Sequence, residues 1–277
     1  MIVLIVNADD LGINRARDRG IFEAFEHGLV TSASLLANGD SFTQAATQAK
    51  VLGLPLGVHL NLADGIALNG PIKGLTVLGN RFPGKERSRQ YLLSEHCNPE
   101  AIEQELQTQI ERVFAAGLNP DHLDTHQHFH LFPRLLSVVI TLAKRFDIIR
   151  LRKPCPAEPL AMDPDGGFGQ ELKLYRTLCA QTHLDDVCKA NLITPDGIWG
   201  MPLLNRLDTE SLCRLLEGLP EGVWELMTHP GYPFANDGFS GPERAKELVA
   251  LTSEAARKII VERKIRLISF EDLPCGF

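Results

Sequence analysis

The chain has 277 residues, 44% hydrophobic and 23% charged, with a formal net charge of −7. That is ordinary globular composition, long enough for one large α/β domain, and the acidic balance argues against a nucleic-acid-binding surface. No apolar run of about 18 residues marks a membrane span, and the MIVLIVNADD start lacks a basic signal-peptide n-region, so the expected location is cytoplasmic.

Residues 2–6 are a continuous β-branched and leucine run, as in a strand buried on both faces. Asp9 and Asp10 follow, then a turn. Residues 15–27 have helical spacing and stop at Gly28. A second strand is expected over 30–37 and an alanine-rich helix over 42–51. A third strand covers 55–62. Residues 63–95 are rich in Gly and Pro and read as a long loop with short elements, of the kind that covers a substrate site.

Asn98-Pro99 opens a helix over 100–116, capped by Gly117. A short strand at 122–125 precedes a helix at 131–146 and a strand at 148–151. Prolines 154, 156, 159 and 164 with Gly166-Gly167 mark a second excursion, over 153–200. Helices at 172–183 and 208–216, a strand at 222–227, a long helix at 242–262 and a last strand at 265–269 complete the order. Alternating strands and helices predict a parallel sheet with right-handed crossovers. No GxGxxG follows the first strand, so a dinucleotide fold is not supported. The expectation is an α/β chain, a single domain over 1–277 folded as an irregular (β/α) TIM-like barrel. Its site lies at the C-terminal ends of the strands.

The six cysteines form no CxxC pair and read as scattered reduced thiols. The chemistry-bearing residues follow the strands. Asp9 and Asp10 are neighbouring carboxylates that repel unless a cation or a shared proton relieves them. A metal would let one ligate while the other acts as a base; alternatively Asp10 caps a helix. His59 lies at or near a strand end, as a ligand or as a satisfied core residue. His122, His126, His128 and His130 fall within nine residues, with Asp124 among them. Extended chain would put His126, His128 and His130 on one face, and a helix would stack His126 over His130. Some of the four would bind metal, and others would orient ligands or touch substrate. His229, at the turn Thr228-His229-Pro230, suits a proton donor. Either Arg150 or Arg152 could orient a carboxylate, and Trp199 either stacks on a sugar or simply packs.

Together the stretches Val6-Asn-Ala-Asp-Asp-Leu-Gly12, Leu29-Val-Thr-Ser-Ala-Ser34, Gly57-Val-His-Leu60, His122-Leu-Asp-Thr-His-Gln-His-Phe-His130 and Met227-Thr-His-Pro230 resemble the YdjC-like carbohydrate deacetylases. That family includes chitooligosaccharide deacetylases and hopanoid-cluster proteins. The resemblance spans nearly the full length; Leu11 stands where the family more often has Phe. It implies a (β/α) barrel with one divalent metal, Mg²⁺ or Zn²⁺. Asp10, His59 and His126 would be the ligands, Asp9 the general base and His229 the general acid. His128, His130, Asp124, Arg150 and Arg152 are candidates for substrate contact or for supporting the ligands. The expected reaction removes N-acetyl groups from an amino sugar or a short chitooligosaccharide-like substrate. A metal-dependent phosphoesterase and a non-catalytic sugar-binding barrel are the alternatives. The partner is then a small acetylated sugar, with a homodimer as the default assembly.

Overall fold

The structure is a computed structural model describing residues 1–158, 169–182, 184–235 and 239–273. Strand β1 (Ile2–Leu11) is buried along its whole length, as its Ile/Val/Leu run requires. It continues beyond the expected end at Val6 and carries Asp9 and Asp10 within it. Helix α1 (Arg15–His27) starts at Asn14, whose side chain accepts the Arg17 N–H. Then come β2 (Ser32–Leu35), α2 (Phe42–Leu52) and β3 (Leu56–Leu60). The 63–95 excursion, expected as a long loop with short elements, holds one helix, α3 (Lys85–Leu93). Next are α4 (Pro99–Ala115), with Asn98 as its cap, β4 (Leu123–Thr125) and a 3-10 turn, His126–Leu131. That turn delays α5 (Leu135–Arg145).

The second half contains α6 (Gly169–Gln181), α7 (Asp185–Lys189), β5 (Gly197–Trp199), α8 (Thr209–Gly218) and β6 (Gly222–Thr228). The long helix expected over 242–262 is two, α9 (Pro242–Leu251) and α10 (Glu254–Glu262). The Ser253 side chain accepts the Ala256 N–H and starts the second one. Strand β7 (Arg266–Ile268) is the last. The segment expected as a strand at 148–151 forms isolated bridges instead. Pro159, Pro164, Gly166-Gly167, His183 and Cys275 lie outside the described residues.

Among the described residues the seven strands pair in parallel, in the order β4-β3-β2-β1-β6-β5, with β7 on the lower half of β1. Parallel bridges Leu123–Leu151, Arg150–Ile193 and Pro156–Ile198 carry the hydrogen bonding on from β4 to β5. The sheet therefore curls into an irregular barrel, and every strand's C-terminal end faces one rim.

Side chains alternate across the barrel wall. Leu4, Val6, Ala33, Leu35, Val58, Leu60, Leu123 and Leu226 join the large outer core beneath the helices. Val3, Ile5, Ile268, Phe270 and Leu273 form a small separate core that plugs the lower interior. Above it the inward positions turn polar: Asn7, Asp9, Ser34, His59, Asp124, Arg152 and Glu225 are all buried. On β3, Gly57 leaves room for the His122 ring, since a Cβ there would lie 2.5 Å from it.

Candidate active site

The floor of the site is a buried charge network around Arg152. Its guanidinium holds Asp9 with both arms, Nη1 to Oδ2 at 2.8 Å and Nη2 to Oδ1 at 2.6 Å. It also donates to Glu225 Oε1 from Nε (2.9 Å) and Nη2 (2.6 Å), and lies 2.6 Å from Asp124 Oδ2. Three carboxylates around one cation demand compensation in so dry a place. Burial raises both Glu225 and Asp124. Arg152 and His59 outweigh this at Asp124 and hold it well below the usual carboxylate range, whereas Glu225 stays raised. Asn7 Nδ2 donates to Asp9 Oδ1 (2.7 Å) and to Ser34 Oγ (2.8 Å), and Ser34 donates to Asp124 (2.9 Å).

Asp10 would point away from Asp9 on a regular strand. A register shift between Ala8 and Leu11, with Asp10 at φ +67°, turns it to the same side. Aspartate tolerates this left-handed conformation better than most residues. Its Oδ2 meets Arg17 Nη1 at 3.2 Å. Its Oδ1 is buried without a hydrogen-bond donor, 3.0 Å from His126 Nδ1 and 3.5 Å from His59 Nε2; those two nitrogens are 3.3 Å apart.

Each imidazole gives its other nitrogen to a carboxylate. His59 Nδ1 is 2.9 Å from Asp124, and His126 Nε2 is 2.9 Å from Asp64. This is the arrangement that orients metal-binding histidines and fixes their tautomers. Burial pulls both rings down, but Asp124 and Asp9 hold His59 up at about 10, and Asp10 holds His126 up at about 9. The pocket thus demands positive charge beside Asp10 Oδ1; a cation bound there would replace the ring protons, and the two nitrogens would then turn lone pairs to it. Asp10, His59 and His126 fit a divalent cation with mixed O/N ligands. Asp9, His59 and Asp124 also cluster, but Arg152 already occupies both carboxylates.

The remaining histidines divide. His126 and His128 line one cleft of about 760 Å³ together with Asp9, Asp10, His59 and His229. The chain does this by passing Gln127 and His128 through the left-handed region, at φ +60° and +54°. His130 does not reach the cleft: Nε2 donates to the Arg152 carbonyl (3.1 Å) and Nδ1 meets Thr125 Oγ1 (2.7 Å). It supports the segment that carries Arg152. His122 is a packing residue, stacked on Phe270 at 3.8 Å. His229 lies at the rim after β6, edge-on to Phe239 at 5.1 Å. Burial, with Arg244 and Arg17 adding to it, keeps His229 well below its usual value against the pull of Asp10, so its ring is neutral.

Of the two candidate arginines, only Arg152 enters the site. Arg150 donates instead to the carbonyls of Glu271 at 2.6 Å and Leu273 at 3.5 Å, beside the small lower core. Trp199 is buried in β5, edge-on to Trp224 at 6.1 Å, and cannot stack on a ligand. The sequence reading missed Arg17, Asp64, Glu225, Ser34 and Asn7. One signal for Arg17 existed: a basic residue in the first turn of a helix opposes the dipole, and here it is held by Asp10.

A family model described as YdjC-like protein matches residues 3–262. A carbohydrate deacetylase of Brevibacillus brevis is 32% identical, over 98% of this chain and 99% of its own length. A chitooligosaccharide deacetylase of Serratia marcescens is 31% identical, over 98% and 99%. A crystal structure of an Enterococcus faecalis protein, whose name proposes cellobiose-phosphate cleavage, superposes with a TM-score of 0.74 at 28% identity over 98% of each chain. The shared architecture, the match along nearly the whole sequence and the identity to full-length relatives place this chain in the YdjC-like family.

Proposed function

We propose that the protein is a metal-dependent hydrolase that removes the N-acetyl group from an acetylated amino sugar or short chitooligosaccharide. The observation that carries this reading is the convergence of Asp10 Oδ1, His59 Nε2 and His126 Nδ1 beside the Arg152-held Asp9 on the floor of an open cleft. The names of the full-length relatives support the deacetylation of a sugar. A divalent cation held by Asp10, His59 and His126 would supply Lewis-acid polarisation of the acetamide carbonyl and make the attacking water more acidic.

The chain's own residues do the rest. Arg152 and Asn7 fix the Asp9 carboxylate in one orientation, so that it takes a proton from the attacking water as general base. Asp124 and Asp64 hold the two imidazoles in the tautomers that ligation needs. His229, at the rim of the same cleft, passes a proton to the departing nitrogen. Its ring starts neutral, so it takes that proton from solvent water in the cleft, and Asp9 returns the proton it gained to solvent. A two-metal phosphoesterase would need a second set of free carboxylates, and Arg152 already engages Asp9, Asp124 and Glu225.

The test is acetate release from N,N′-diacetylchitobiose and other N-acetylated saccharides. It is run on metal-stripped protein and after restoring Mg²⁺, Zn²⁺, Mn²⁺ or Co²⁺. Release that depends on the ion supports the reading. No release from any substrate, with bound metal verified by elemental analysis, overturns it.

A further inference from the structure

His128 is unusual among the buried polar residues. Its side chain is 6% exposed and lines the cleft, yet Nδ1 has no hydrogen-bond partner among the described residues. The ring's neighbour is Tyr175, edge-on at 5.0 Å. Tyr175 itself is tied down: its hydroxyl accepts from Arg89 Nη2 (2.6 Å) and donates to the Gln127 carbonyl (3.3 Å). His128 also sits at φ +54°, where a non-glycine residue is strained. A buried, unpaired imidazole on a strained backbone is costly on both counts. Packing does not explain it, because an apolar ring would fill the same space without the unpaired Nδ1. A neutral imidazole offers one donor and one acceptor.

The cleft lining is mixed: His128, Gln127 and Asn205 are polar, while Met201, Met227 and Phe234 are apolar. A pyranose is likewise mixed, with hydroxyls around its edge and C–H bonds on its faces.

We propose that His128 reads the substrate directly, its imidazole hydrogen-bonding a ring hydroxyl of the sugar bound in the cleft. The proposal rests on the deacetylase reading and adds a specificity residue to it. The unpaired atom is Nδ1; a buried acceptor without a donor is tolerated better than the reverse, so Nδ1 carries the lone pair and accepts from the sugar hydroxyl. Binding the sugar completes a hydrogen bond that the protein alone leaves open. A saccharide lacking that hydroxyl would leave it open.

The experiment uses the metal-loaded, full-length chain with N,N′-diacetylchitobiose as probe. It compares wild type, His128→Ala and His128→Asn by steady-state acetate release, bound metal and thermal melting. Asparagine tolerates the left-handed backbone and keeps a donor and an acceptor. For His128→Ala the expected result is a roughly 10-fold loss in kcat/KM carried mainly by KM, with wild-type metal content. His128→Asn should recover part of it. Should His128→Ala misfold, the Asn variant and a 2-, 3- or 6-deoxy sugar series on wild type carry the test. A drop for one deoxy sugar that vanishes in His128→Asn is then the expected signature. Unchanged kcat/KM in a folded His128→Ala overturns the proposal, as does a loss that tracks lost metal. Absence of acetate release by wild type removes the deacetylase reading and this proposal together. Release by wild type that His128→Ala leaves intact removes this proposal alone.

Discussion

At the scale of single residues, Asp9 is placed for proton transfer rather than ligation. Its two oxygens are taken by Arg152 and Asn7, and its nearest approach to a candidate ligand is 4.0 Å, from Oδ2 to His59 Nε2. Asp9→Asn keeps the shape and removes the base. Turnover should fall by ~10²–10⁴-fold while elemental analysis finds the same metal stoichiometry. Wild-type turnover in metal-loaded Asp9→Asn protein would take the base role away from Asp9. Asp124 acts one step further out. It holds His59 through Nδ1, so Asp124→Asn leaves the ligands in place but frees the ring. Metal affinity should weaken by roughly 10–100-fold, read by competition with a chromogenic chelator; unchanged affinity would exclude the orienting role. Asp9, Asp10, His59 and the histidine cluster were legible in the sequence, because carboxylates and imidazoles at strand ends are costly unless they do something. Asp64 was not: it sits in a Gly/Pro-rich excursion with no local pattern, and only the partner across the cleft gives it meaning.

Elements bring these residues into register. Helix α1 is tied back to the turn after β1 by the Gly12 N–H, which donates to Asp18 Oδ1 at 2.6 Å. Burial pushes Asp18 up to about 6 from the ordinary 3.8. Between those values the folded protein binds the extra proton, so its stability falls as pH rises through that window and is lower throughout above about pH 6. Asp18→Asn can still accept the Gly12 N–H and escapes the penalty. The variant should gain stability over wild type as pH rises from 4 to 6, reaching about 3 kcal/mol at most, with no difference below that window. Urea unfolding at several pH values measures it, and a pH-independent difference would refute the assignment.

Across the cleft, the two excursions clasp each other. Arg89 on α3 holds both oxygens of Glu171 on α6, at 2.8 and 2.9 Å, and Lys85 adds 2.9 Å. Glu171→Gln should loosen this wall, raise KM and cost about 1–2 kcal/mol, less than a fully buried pair would, because its side chain is 26% exposed. Full retention of both KM and unfolding midpoint would show that the clasp is incidental. The sequence reading expected short elements around α3 without placing them, and it passed over the break between α9 and α10, where Ser253 supplies a local helix cap.

Over the whole molecule, the candidate ligands come from β1, β3 and the turn after β4, so a bound cation would pin three stretches of the rim together. Metal at 100 times its dissociation constant should stabilise the fold by about 2.7 kcal/mol, and a chelator should lower the melting temperature to that of the apo protein. No shift with any tested divalent ion would count against the ligand set. No helix among the described residues is long and apolar enough to cross a membrane.

The sequence by itself determined the parallel α/β alternation, the outer apolar stripe of each strand and the polar residues at the strand ends. Those follow from period-two burial and from the cost of placing charge in a strand without a partner. Tertiary structure alone decided which of these residues meet. Arg152 rather than Arg150 reaches Asp9, 143 positions away, and Asp124 reaches His59 across 65. The shift after Ala8 turns Asp10 inward, and the left-handed pair Gln127–His128 sends His128 to the cleft while His130 goes beneath it. Such pairings depend on strand register and local backbone handedness. Both are set by contacts between segments distant in the chain, which no local pattern records.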